Sequence, residues 1–222
     1  MARLFDDGSN EYLELDSAPI VAAPFTMACW FNSDNIALDQ TLMFVGDKNF
    51  NNRRWNLSIR GDIGGNPIYM VVVDSAGVGV AATSTGYSPN TWHHACGVEA
   101  AATDRRVFID GGSKGINAAN RTPASVNRVS IGRVGRASPF AYMSGLIAEA
   151  AIWKVALSDA EVALLAKGFS PLFIQPHNLV RYYPLIRDDD NDWIGGFDLA
   201  AFNTPTVAAH PPLIVYPAFQ QA

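Results

Sequence analysis

The 222-residue chain has few charged residues, no strong net charge and no long hydrophobic run, and each shortage excludes a class of protein. Charged side chains make up 17% of the residues, too few for a coiled coil or a disordered chain. The net charge is −5, so no basic field favours a polyanion. No apolar stretch reaches about 18 residues, and no signal-peptide pattern opens the chain. We therefore expect a globular protein with no nucleic-acid partner, no membrane span and no standard export signal.

Cysteine and glutamate are also scarce. Cys29 and Cys96 fit neither a disulfide-dense scaffold nor a zinc site, which needs four ligands at short spacings, so we expect two buried free thiols. His93 and His94 are adjacent in a predicted strand, point to opposite faces and cannot bind one metal ion together. The chain has five glutamates, none in a Glu-x-Asp-x-x-Glu arrangement. Because glycoside hydrolases need two carboxylates facing each other across a sugar, we predict that the protein is not an enzyme.

The dominant pattern is an alternation of apolar and polar residues with a period of two. Residues 55–60 show it most clearly, since Trp55, Leu57 and Ile59 alternate with polar side chains. Short basic pairs such as residues 53–54 and 105–106 are interpreted as solvated strand ends. Further strand-like segments, separated by turn-forming residues, lie at 12–15, 25–31, 41–45, 68–73, 78–83, 92–99, 106–110, 128–132 and 146–153. This spacing predicts a β-sandwich or a barrel.

One segment has the signature of a helix. Ser158 and Glu161 form the capping box that begins a helix, because each side chain can bond the other residue's backbone N–H. The helix is predicted to run to about Lys167, with Gly168 as its left-handed terminator and Pro171 preventing its continuation.

Several segments, in chain order, resemble the laminin-G-like, concanavalin A-like jelly roll. Among them are the Trp-His-His strand at 92–95, the Val-Phe-Ile-Asp-Gly hairpin at 107–111 and the closing strand and helix within 143–162. The remaining matching segments are 4–8, 12–13, 25–31 and 131–132. The resemblance implies an all-β, concanavalin A-like jelly-roll β-sandwich with one short helix, and it implies no particular function.

The last part of the chain departs from this pattern. Residues 179–185 resemble a segment that usually precedes the first strand of the family, so we predict a permuted strand that completes one domain over residues 1–203. An independent tail is the alternative. Residues 204–222 carry four prolines and no charge, which predicts an extended arm. We expect this arm to bury its apolar side chains on a neighbouring subunit rather than on its own domain. The proposed assembly residues are Leu213, Ile214, Val215, Tyr216 and Phe219.

The resemblance also implies that a structural calcium ion could bind. Asp6, Asp7 and Asp192 are the candidate ligands, but Ala148 stands where the family has an aspartate in its closing strand. Losing one hard oxygen ligand weakens such a site. We therefore predict no cofactor, and name these three aspartates as the residues that a calcium ion would use.

Two functions from different classes remain. The trailing Tyr-Pro-Leu segment and residues 210–217 resemble bacteriophage virion proteins, which implies a non-enzymatic structural protein of the virus particle, a head-decoration, head-fibre or tail component. Its partners would be other virion proteins or copies of itself, and it would be made in the host cytoplasm and reside in the virion. The alternative is a lectin-like carbohydrate-binding module of a cellular protein, with Tyr69, Tyr87 and Tyr142 as exposed sugar platforms. The two are compatible, because a virion protein can bind host-surface glycans.

Overall fold

The computed structural model of the protein describes residues 2–186, 188–211 and 214–215. Within these residues the chain forms fifteen strands, one α-helix and two single-turn 3-10 helices. The strands are β1 (Ala2–Phe5), β2 (Tyr12–Leu15), β3 (Phe25–Ser33), β4 (Asp39–Gly46), β5 (Arg54–Arg60), β6 (Pro67–Asp74), β7 (Gly77–Gly86), β8 (His93–Ala101), β9 (Asp104–Ile109), β10 (Gly112–Asn117), β11 (Arg128–Ile131), β12 (Gly145–Trp153), β13 (Leu179–Tyr183), β14 (Ala200–Phe202) and β15 (Thr206–Ala208). The helix is α1 (Asp159–Ala166), and the 3-10 turns are Pro171–Phe173 and Pro176–Asn178.

The strands form two antiparallel sheets. In the first sheet the order is β10-β9-β8-β3-β12-β1-β15, and in the second it is β14-β2-β11-β4-β5-β6-β7. The inward-facing side chains of both sheets meet in one core, where the rings of Phe25 and Trp55 pack edge to face at 5.1 Å. The predicted all-β jelly-roll sandwich with one short helix is thus confirmed.

Strand β12 has two neighbours along one of its edges. Its first residues pair with β1, with Arg3 opposite Ile147, and its last residues pair with β13, with Tyr183 opposite Ala150. A bulge separates the two halves, and Glu149 lies in it with a left-handed φ of 55°. Leu179–Tyr183 therefore forms a strand within the first sheet, as the sequence predicts.

The outer face of the first sheet is covered by α1 and the segment after it. The capping box is present, since Ser158 Oγ accepts from the Glu161 N–H and Glu161 Oε2 accepts from the Ser158 N–H at 2.8 Å. Gly168 ends the helix with a φ of 87°. Val162 and Leu165 pack onto Trp153 in a second apolar cluster. Both cysteines are free and buried, as predicted, one in each cluster.

The predicted arm differs from the structure in its described part. Thr206–Ala208 is an edge strand that pairs with β1, so the sheet extends beyond residue 203. Val215 donates its N–H to the Gly168 carbonyl at 2.7 Å and accepts from the Ser170 N–H at 2.9 Å. Val215 thus lies against its own domain, while its side chain is 49% exposed. The expected contact of Ile214 and Val215 with a neighbouring subunit stays a prediction. Leu213, Tyr216 and Phe219 lie outside the described residues.

Candidate functional site

The outer face of the second sheet carries polar side chains in the alternation that the sequence predicts. In β5, Trp55, Leu57 and Ile59 are buried in the core. Asn56 and Ser58 point the other way, and Asn56 Nδ2 donates to Ser58 Oγ at 2.6 Å. The outer face is therefore built from hydrogen-bonding groups at its centre, although both side chains are buried.

The segment from Arg133 to Tyr142, called here the 133–142 loop, lies across this face. The Ala141 carbonyl accepts from the Thr41 N–H at 2.9 Å, which fixes the loop to β4. Gly135 makes the closest approach, since a Cβ atom there would lie 2.2 Å from Ser130 Oγ. The loop backbone is therefore held to β4 at Ala141 and packs closely on β11 at Gly135.

An aromatic cluster lies where the loop meets the edge of the second sheet. The rings of Tyr12 and Phe202 stack at 4.7 Å with an interplanar angle of 8°, and the Tyr142 ring lies 6.3 Å from Tyr12. Arg133 Cζ lies 3.3 Å from the centre of the Tyr12 ring. Phe202 is 39% exposed. We call Tyr12, Tyr142 and Phe202 the aromatic cluster.

Glu14, beside this cluster, is held by two arginines. Its Oε2 accepts from Arg133 Nη2 at 2.6 Å and from Ser130 Oγ at 2.9 Å, while Oε1 lies 3.1 Å from Arg128 Nη2. Both carboxylate oxygens thus have positively charged partners. The geometry gives Glu14 a positioning role, because it orients the Arg133 guanidinium against the Tyr12 ring.

A second group of side chains lies further along the same loop. Arg54, from β5, and Arg136, from the loop, both contact the ring of Phe140, with Cζ-to-centroid distances of 5.9 and 4.4 Å. Arg54 Nη1 donates to the Asn51 carbonyl at 2.5 Å, and Arg136 Nη1 reaches the same oxygen at 3.3 Å. We call Arg54, Arg136 and Phe140 the arginine pair and its ring.

Two of the three predicted sugar platforms lie on the second sheet's outer face. Tyr142 belongs to the aromatic cluster, whereas Tyr69 is in β6 near the other edge, with Arg60 Cζ 5.0 Å from its ring. Tyr87 is only 3% exposed, and its hydroxyl donates to the Asn35 carbonyl at 2.7 Å. Burial raises the pKa of Tyr87 to about 12. The prediction that Tyr87 is exposed is therefore wrong, because its ring packs on Phe31 in the core.

The predicted calcium ligands do not come together as a ligand set. Asp6 accepts from the Gly8 N–H and from Ser9 Oγ, which closes a turn. Asp192 is buried and accepts from the Tyr182 and Ile194 N–H groups at 3.0 and 3.1 Å. Asp7, like Asp6, lies in the turn after β1, and no three His, Cys, Asp or Glu side chains in the described ranges are grouped to hold a metal ion. Calcium binding stays a prediction that this geometry does not support.

One basic pair differs from its interpretation as a solvated strand end. Arg105 is fully buried, and its Nη2 lies 2.5 Å from Glu99 Oε1. Glu99, the partner of Arg105 in this ion pair, lines a cleft of about 320 Å³ together with Trp55 and Arg121. Arg105 is buried because its partner, Glu99, lies on the neighbouring strand β8. The pattern of one strand does not show which side chains the neighbouring strand supplies.

Most of the residues that line this face are not among the site residues predicted from the sequence. Arg54 and Asn56 could have been found from the alternation in β5, which places them opposite Trp55. Tyr12 could have been found in the same way from β2. Arg136 and Phe140 could not, because they lie in an irregular loop whose path depends on contacts with β4 and Asn51.

These features define a class: a two-sheet lectin-like sandwich with a fixed loop and aromatic side chains across one outer face. The sequence profile of the concanavalin A-like lectin/glucanases superfamily matches residues 7–163, and the chain belongs to this family. The resemblance noted from the sequence is thereby confirmed at the level of the family. No curated protein matches the chain.

Solved structures with the same fold include three from bacteria. A Bacteroides ovatus protein, named for an expected carbohydrate-binding function, has a TM-score of 0.70 at 18% identity, covering 96% of this chain and 61% of its own. A CBM40 of a Ruminococcus gnavus sialidase, bound to α2,3-sialyllactose, has a TM-score of 0.56 at 14% identity, with coverages of 66% and 84%. Domain 4 of a Geobacillus stearothermophilus arabinanase, in complex with arabinotriose, has a TM-score of 0.55 at 21% identity, with coverages of 69% and 71%. At these identities the likeness shows the fold alone.

The expectations about a virus particle and about enzymatic activity stay predictions. Nothing in these comparisons bears on a role in a virus particle, on virion partners or on location in the virion. The absence of enzymatic activity is likewise untested. In the part of the chain that the structure describes, no helix is both long enough and apolar enough to cross a membrane.

Proposed function

We propose that the protein is a carbohydrate-binding module that holds a glycan on the outer face of the second sheet, over the aromatic cluster. This was the alternative function in the sequence analysis. The observation that carries it is the stacked pair Tyr12 and Phe202, with Tyr142 and the Arg133 guanidinium beside it. Aromatic rings offer flat apolar surface to a sugar, and a few fixed polar groups orient it.

The surroundings of the cluster support binding rather than chemistry. Glu14, the carboxylate beside it, has both oxygens engaged by Arg128 and Arg133. Glu14 holds the Arg133 guanidinium beside the cluster, so this group loses little conformational freedom on binding. The family and its glycan-bound structural neighbours make carbohydrate the ligand class with the strongest support.

Calorimetric titration with a panel of oligosaccharides tests the proposal. We expect at least one to bind the parent protein, and the Phe202→Ala and Tyr142→Ala variants to bind it at least tenfold more weakly, since central aromatic contacts dominate such interfaces. Phe173→Ala is the matched control, because Phe173 is similarly exposed but follows α1 on the first sheet's side.

Two results would contradict the proposal. One is a panel in which no oligosaccharide binds the folded parent protein. The other is an affinity that Phe202→Ala and Tyr142→Ala change no more than Phe173→Ala does. Thermal unfolding of each variant separates loss of binding from loss of structure.

A further inference from the structure

Two arginines stand apart from the others in their charge environment. Of the arginines in the described ranges, Arg54 and Arg136 alone have no carboxylate within ion-pair distance. The arginines that do have one are Arg3, Arg53, Arg60, Arg105, Arg106, Arg121, Arg128, Arg133 and Arg181. In a chain of net charge −5, carboxylates are plentiful, so two neighbouring guanidinium groups without one are the exception.

The two guanidinium groups are held side by side. Each donates through Nη1 to the Asn51 carbonyl. The Nε atoms are also engaged, Arg54 with Asn56 Oδ1 at 3.2 Å and Arg136 with the Ser138 carbonyl at 3.0 Å. Within the described residues neither Nη2 group has a protein acceptor. Both groups are therefore oriented by the protein while keeping donors for an external acceptor.

Among the residues that the structure describes, the positive charges of Arg54 and Arg136 are not offset by a carboxylate within ion-pair distance. Burial, together with the positive charge of Arg136, lowers the pKa of Arg54 to about 10. Asp39 attracts Arg54 only from beyond ion-pair distance, and the nearby Arg53 is already paired with Asp47. An anion placed between the pair would offset both their repulsion and the cost of their burial.

We infer that Arg54 and Arg136 bind the acidic group of a glycan, a carboxylate or a sulfate ester, so that the glycan recognised on this face is an acidic one. This inference rests on the proposed carbohydrate-binding function. A guanidinium group presents parallel N–H donors that match the oxygens of such a group. The 133–142 loop carries Tyr142 of the aromatic cluster and also Arg136 and Phe140. One glycan lying along the loop can therefore contact both the aromatic cluster and the two arginines.

Matched pairs of probes test the inference. We use an oligogalacturonate with a neutral galactose oligomer of equal length, and a carrageenan-derived tetrasaccharide, whose only acidic groups are sulfate esters, with its neutral desulfated form. The acidic member of at least one pair is expected to bind the parent protein at least tenfold more tightly than the neutral member. Arg136→Gln should remove this preference, so that the acidic and neutral members bind the variant with similar affinity. Raising the salt concentration should also reduce the preference.

Arg106→Gln is the matched control, because it removes the same charge from β9 of the first sheet. Arg54→Gln is a second variant that tests the same inference. If Arg54→Gln does not fold, the result for Arg136→Gln alone decides the test. Equal affinity for the acidic and neutral members, or a preference that Arg136→Gln leaves as intact as Arg106→Gln does, overturns the inference and leaves the proposed function standing. Failure of every probe, acidic or neutral, to bind overturns the proposed function as well.

Discussion

At the scale of single residues, His94 shows how a buried titratable group ties stability to pH. Its side chain lies on the first sheet's outer face, 2% exposed, with its ring 5.5 Å from Trp30. Burial lowers the pKa of His94 to about 4, although the negative charge of Asp110 acts in the opposite direction. The imidazole therefore stays neutral in the folded protein at pH values where the unfolded chain takes up a proton.

The pH dependence of unfolding tests this assignment. Because the pKa of His94 is lower in the folded state than in the unfolded state, its contribution is complete above about pH 6.5 and is lost as the pH falls towards 4. Between pH 7.5 and pH 4.5 the parent should lose about 2 kcal/mol more unfolding free energy than His94→Gln. Urea unfolding at both pH values measures the difference. His177→Gln, at an exposed histidine, is the control, and identical pH profiles for parent and His94→Gln would show that His94 does not titrate in this way.

At the scale of secondary-structure elements, α1 depends on its first turn. Ser158 and Glu161 satisfy each other's backbone N–H groups, and the helix they start buries Val162 and Leu165 against the first sheet. Replacing Ser158 with alanine removes the acceptor for the Glu161 N–H.

We expect Ser158→Ala to lower the free energy of unfolding by about 1 kcal/mol. Ser158→Asp, which keeps an acceptor at the cap, should stay within about 0.5 kcal/mol of the parent. Chemical denaturation measures both. Equal losses in the two variants would mean that the cap hydrogen bond does not set the stability of α1.

Elements also show where sequence reasoning succeeds. The alternation from Trp55 to Arg60 predicts which side chains of β5 face the core, since strand geometry alone fixes it. The capping box predicts where α1 begins for the same local reason. The prediction that Tyr87 is exposed fails because its neighbours in sequence are turn-forming residues. Its burial depends on contacts with Phe31 and Asn35, which are distant in the chain. The aromatic cluster depends on a similar long-range contact, between Tyr12 and Phe202.

At the scale of the whole molecule, the last described segments are structural parts of the sandwich. Tyr182 and Tyr183, the last two residues of β13, are fully buried. Arg3, also buried, forms ion pairs with Asp188 and Asp190, so the segment after β13 supplies its counter-charges. Asp188 and Asp190 are thus engaged with β1, although the Asp188 side chain is 72% exposed.

Truncation tests how far this dependence extends. Deleting everything after Phe173 removes β13 to β15 and leaves Arg3 without its partners, so we expect the cooperative thermal transition to disappear. Of the contacts that the structure describes, deleting everything after Pro211 removes only those of Ile214 and Val215, and the transition should persist. Circular dichroism during heating distinguishes the two. A cooperative transition in the shorter protein would show that the sandwich closes without β13.

Assembly through the remainder of the arm is a separate prediction. The protein truncated after Pro211 should elute later than the full chain in size-exclusion chromatography by more than its lost mass explains. Equal assembly states for the two would remove the argument for an assembly arm.

The division of one edge of β12 between β1 and β13 has a consequence for the order of events during synthesis. Strand β1 leaves the ribosome first, whereas β13 follows only after residue 178, and β15, which covers the free edge of β1, later still. Once β12 has emerged, the first sheet therefore stays unfinished until β13 follows, and the part of the β12 edge that β13 covers is open to other chains. The strands that complete that sheet are made only after β12, so the time between β12 and β15 is the period in which a nascent chain most needs protection from aggregation.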